Sequence, residues 1–133
     1  MSYAISTTVA QPFEQALTAT RSALAEQGFG VLTEIDLAAT LKAKIDVEIA
    51  PQVILGACRP PLAHAAVQAE PSIGLLLPCN VVVRQTAGGV VVEAMDPAVM
   101  VTMTGNENLV DVAGEARERL TGALVSLGGT LTH

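Results

Sequence analysis

"NVVVRQTAGGVVVEAM", residues 80–95, decides the fold of this chain. Two runs rich in β-branched residues flank Gly88-Gly89. Branched side chains suit a pleated, half-buried surface, and glycine supplies the backbone conformations of a tight turn. The stretch predicts an antiparallel hairpin. Asp96-Pro97 follows it and breaks the second strand, because proline has no N–H for the ladder.

Upstream, "QVILGAC" at 52–58 is an apolar strand suited to a central place in a sheet. "PPLAHAAVQAE" then reads as a helix opened by Pro60-Pro61 and stopped before Pro71. Its small residues Ala63, Ala65, Ala66 and Ala69 allow close packing on a neighbour. "IDVEI" at 45–49 alternates, as a strand or as an extended lead into the next one. Before it, Asp36 can cap a short helix "LAATLKAK", and "GVLTEI" at 30–35 reads as a strand. "YAISTTV" at 3–9 alternates as a half-buried strand should. Pro12 is placed at a first helical position, Gly28 at the helix end, and Phe13, Ala16, Leu17, Thr20 and Leu24 share one stripe between them. Downstream, residues 107–127 carry the longest amphipathic pattern, closed by Gly128-Gly129. The expectation is a single α+β domain over 1–133, with a mixed or antiparallel sheet packed against helices.

Composition narrows the chemistry. Half of the residues are apolar, yet only Tyr3, Phe13 and Phe29 are aromatic, so the core must be aliphatic. The net charge of −6 and the lack of any basic run beyond Lys42 and Lys44 argue against a nucleic-acid partner, which needs clustered cations and stacking aromatics. No apolar stretch approaches the ~18 residues of a membrane span. The N-terminus "MSYAISTTVAQ" lacks the features of a secretory signal, so a cytoplasmic location with reduced cysteines is expected.

"ILGACRPPLAHAAVQAEPSIGLLLPCNVVV", continued by "VEAMDPAVM", resembles the bacterial and archaeal family known as domain of unknown function 302. The likeness rests chiefly on Leu55-Gly56-Ala57-Cys58, Glu70-Pro71, Leu77-Pro78-Cys79-Asn80 and Asp96-Pro97, and runs from the first strand to the last helix. It implies a compact α+β domain that forms a homodimer, and it brings no reaction, substrate or cofactor.

The reactive atoms need a reading of their own. Cys58 precedes a predicted helix, where unpaired amides and the helix dipole favour thiolate, and Arg59 acts in the same direction. A buried, inert thiol at a strand end is the competing reading. Cys79 lies 21 positions later, a spacing that matches neither CxxC nor a paired zinc knuckle. His64 would complete a Cys, Cys, His set for zinc or copper, with no fourth ligand evident. Met95, Met100 and Met103 offer thioethers that suit Cu(I), although methionine also fills irregular core gaps. Glu70, Glu93 and Asp96 are explained by capping and turns as readily as by acid–base chemistry. No GxSxG, HExxH, P-loop or GxGxxG pattern occurs, so no catalytic signature is recognised.

The ligand or thiol-site candidates are therefore Cys58, Arg59, His64, Cys79 and Asn80; the metal candidates are Cys58, Cys79 and His64. The leading expectation is a noncatalytic or small-ligand-binding homodimeric module requiring no cofactor. The alternative is a redox, sulfur-carrier or soft-metal protein using Cys58 and Cys79.

Overall fold

The computed structural model describes residues 3–132. Its centre is a six-stranded antiparallel sheet built from β1 (Ala4–Val9), β2 (Gly30–Asp36), β3 (Gln52–Cys58), β4 (Cys79–Thr86), β5 (Gly89–Met95) and β6 (Thr130–Thr132). The strands are ordered β2-β3-β4-β5-β1-β6. The hairpin expected at 80–95 is β4 and β5, paired from Thr86↔Gly89 back to Val81↔Ala94. Of the two sheet types expected, the antiparallel one is present.

Five helices accompany it: α1 (Phe13–Glu26), α2 (Leu37–Ile45), α3 (Pro60–Ala69), α4 (Ala98–Thr104) and α5 (Val110–Val125). Helices α1 and α5 lie against one face of the sheet. Strand periodicity explains how. In β4, Val81 and Val83 are fully buried while Asn80, Val82 and Arg84 point the other way. Val90, Val92 and Ala94 of β5, and Val53, Leu55 and Ala57 of β3, take the same buried side. Leu17 and Leu24 of α1 and Leu120 and Leu124 of α5 close over them in one aliphatic core. Each such large side chain contributes about 1.5–3 kcal/mol on burial. A smaller core of Ala66, Ile73, Met100, Leu109 and Ala113 joins α3, α4 and α5 beside it.

Local boundaries follow from side-chain chemistry. Asp36 caps α2 as expected, accepting at Oδ1 from the Ala39 amide at 2.9 Å. Pro12 is the residue before α1 rather than its first residue, with extended ψ of 150°. Residues 46–50 form the extended lead into β3 rather than a strand. They follow Asp46, whose positive φ of 53° turns the chain out of α2. The 107–127 pattern begins with a 3₁₀ turn, Glu107–Leu109, before α5 takes over. Another 3₁₀ segment, Pro71–Leu76, follows α3. Helix α4 and strand β6 were not foreseen.

The two most specific family motifs meet across the sheet. Gly56 pairs with Asn80, and a Cβ on Gly56 would collide with Thr33 Oγ1 and come within 2.9 Å of Pro78 Cγ. The glycine in LGAC therefore makes room for the proline in LPCN.

Candidate functional site

An apolar cavity of about 30 Å³ lies where β3 ends and β4 begins, between the two cores. Its wall includes Phe29, Cys58, Arg59, Leu77, Cys79 and Met100. The sheet register puts the thiols there. Ala57 of β3 is the partner of Cys79 at the start of β4, so Cys58 is one residue along from the pair. Cys79 is buried and Cys58 is partly exposed; both are free thiols. Burial pushes the Cys79 thiol up to about 11, and a negative charge on nearby Cys58 would push it further in that direction. Cys79 is therefore a protonated, unreactive thiol at neutral pH.

The helix that follows Cys58 lacks two of the amides a helix start ordinarily presents. The first two positions of α3 are Pro60 and Pro61, which carry no N–H. The next two amides, of Leu62 and Ala63, both donate to the Arg59 carbonyl at 3.0 Å. Neither of these two amides is therefore free to hold a thiolate. Arg59 is also engaged: its Nη1 lies 3.5 Å from Glu115 Oε2, and its side chain packs over Gly28. Its Nε is buried without a hydrogen-bond partner.

The other candidates lie elsewhere. His64 is exposed on α3 and is not part of the cavity wall. Asn80 is exposed on the opposite face of the sheet, in an open depression shared with Tyr3, Val82, Arg84 and Glu93. Among the described residues, no group of three His, Cys, Asp or Glu side chains converges as a metal cluster. Of the methionines, Met100 reaches the thiols' cavity, whereas Met103 is exposed. Sequence spacing could not separate these, because the burial of Met100 depends on α4 packing against α5.

The three carboxylates hold structure together. Glu70 Oε1 accepts from Asn106 Nδ2 at 3.0 Å, and that same amide donates to the Ala69 carbonyl at 2.9 Å. Glu93 accepts from Arg84 Nε at 2.7 Å and from Ser6 Oγ at 3.1 Å. Asp96 accepts from the Ala98 amide and from Arg117 Nε, each at 3.0 Å. They are dispersed, and each is bound to a neighbour.

The family model for the domain of unknown function DUF302 matches residues 5–127. The chain belongs to the DUF302 family. A solved structure of an uncharacterised conserved DUF302 protein from Bacillus stearothermophilus superposes on it with a TM-score of 0.88 at 26% identity. That alignment covers 94% of this chain and 98% of the other. No curated protein matches. The family resemblance drawn from the LGAC, LPCN and Asp96-Pro97 motifs thus holds, as does the α+β fold. Among the described residues of this DUF302 chain, no helix is long and apolar enough to cross a membrane.

Proposed function

We propose that this DUF302 chain acts as a noncatalytic homodimeric module whose two copies pack through the open faces of their sheets. The observation that carries this reading is the cross-strand row Ile35, Ile54, Val82. It lies on the face opposite α1 and α5, and all three side chains remain at least partly exposed there. The row continues into Glu93, Ser6 and Thr132, so the face is apolar at the β2 end and polar at the β1 end.

A two-fold axis lets one such surface meet its own copy, and two sheets pack face to face with side chains interdigitated. Five strands at about 4.8 Å spacing, each about 24 Å long, give roughly 600 Å² of plan area, comparable with the ~800 Å² per partner of a standard interface. Glu93, the acid on this face, is already paired with Arg84 and needs no partner from the second copy. The depression around Asn80, about 480 Å³ in volume, is the place for a small ligand in the same module.

Light scattering on the purified protein tests the reading. A dimeric mass is expected, and Val82→Asp should reduce it to a monomer with unchanged secondary structure. A monomer from the unmodified chain at tens of micromolar would overturn the proposal.

A further inference from the structure

We infer that the depression around Asn80 binds a zwitterionic α-amino acid with an aliphatic side chain. The inference rests on the reading of that depression as the module's ligand place, and the sheet register builds it. Val82 of β4 lies opposite Glu93 of β5, and Gln52 of β3 lies opposite Arg84 of β4. Strand alternation puts Asn80, Val82 and Arg84 on one face, and Met95 joins them around the same hollow. Its volume of about 480 Å³ falls within the ~300–1,000 Å³ of small-molecule sites.

Charge selects the class of ligand. Arg84 donates from Nε to Glu93 Oε1 at 2.7 Å, and the Ser6 hydroxyl donates to Glu93 Oε2 at 3.1 Å. Among the described residues, the Nη groups of Arg84 make no hydrogen bond, and each Glu93 oxygen keeps a lone pair free. The pair therefore offers donors and acceptors next to each other, with no net charge. A carboxylate alone would meet Glu93, and an ammonium alone would meet Arg84; each is repelled by one member of the pair. A ligand that carries both groups satisfies both members.

Contact between the guanidinium and the carboxylate also fixes the spacing. The ligand's ammonium and carboxylate must be close neighbours, as they are on a single α-carbon. The side-chain amides of Gln52 and Asn80 are without hydrogen-bond partners among the described residues and flank Arg84, so they can donate to the same ligand carboxylate. Val82 and Met95 supply apolar surface, which suits an aliphatic side chain. In the proposed dimer the second copy would roof the depression and take that side chain out of water.

Isothermal titration of the purified protein with leucine, isocaproate, isoamylamine and ε-aminocaproate decides the matter, with light scattering on the same samples. Leucine should bind once per chain, and each of the other three about 10- to 100-fold more weakly, the worth of one charged hydrogen-bonding partner. Glu93→Gln should shift the preference to isocaproate and Arg84→Gln to isoamylamine, an exchange that a merely structural ion pair would not produce. No binding at about 10 mM leucine, equal affinity for leucine and either singly charged analogue, or an unchanged preference in either variant at retained melting temperature would each overturn the inference. A dimer that ignores leucine removes the amino-acid site alone; a monomer that binds it removes the dimer alone.

Discussion

Arg117 donates from Nε to Asp96 Oδ2 at 3.0 Å, joining α5 to the turn that ends β5 across 21 residues of sequence. The same carboxylate accepts from the Ala98 amide at the start of α4, and the Asp96 amide donates to the Tyr3 carbonyl at 2.8 Å. One residue therefore fixes a strand end, a helix start and the tilt of a second helix. Asp96→Ala should cost about 2 kcal/mol through the lost cap and ion pair, and Arg117→Ala about 1 kcal/mol, since its guanidinium is partly solvated. Urea denaturation of both single variants and the double variant measures their coupling.

Gly56 has no room for a side chain. Gly56→Ala should lose about 1–3 kcal/mol, the usual cost of overpacking. Adding Thr33→Ala should recover part of that loss, because one of the two obstructing atoms, Thr33 Oγ1, is removed while Pro78 Cγ stays. Denaturation midpoints of the single and double variants report it.

Thr7 is 1% exposed, and its Oγ1 has no hydrogen-bond partner. A buried hydroxyl without a partner carries its desolvation cost uncompensated. Thr7→Val keeps the branched shape and should stabilise the protein by about 1 kcal/mol. A lowered melting temperature would contradict the reading.

The Cys79 thiol gives stability a specific pH dependence. Its pKa is raised from 9.0 in the unfolded reference to about 11 in the fold, so between those values the unfolded chain binds fewer protons than the native one. Stability from this group is fully present below pH 9.0 and is lost as pH rises toward about 11. The full loss is ~3 kcal/mol. Comparing denaturation of the unmodified chain with Cys79→Val from pH 8 to ~11 isolates the slope, which the variant should lack. Alkylation of the native protein should modify Cys58 first, with Cys79 reacting on unfolding.

Some of this was legible in the chain and some was not, for physical reasons. The β4–β5 hairpin announces itself because its signals are local: branched runs around a glycine turn. Helices α1 and α5 are equally plain, since each must bury a stripe on the sheet. Strand β6 is three residues at an edge, too short for alternation to register. Helix α4, "AVMVTMT", is rich in β-branched residues and becomes helical through packing, Met100 being buried in the second core. The alternation of Ile45, Val47 and Ile49 suited a strand or an extended lead, and the segment is the lead, pairing with nothing in the sheet. At the site, the sequence pointed to Cys58 and Cys79, whose strand ends the register brings side by side, but could not show that Pro60-Pro61 leave the first two positions of α3 without amides. It grouped His64 with them through helix proximity, although that side chain is turned outward on α3.

Every residue of β2 is exposed and α2 buries none, so the stretch from Gly30 to Ile45 is fastened chiefly by its ladder to β3, with Arg21–Glu34 as a solvated tether to α1. Peeling it away would leave the aliphatic interior shut and the other five strands in register. The molecule thus has a detachable hem, whose amides should exchange with deuterated water well ahead of the rest.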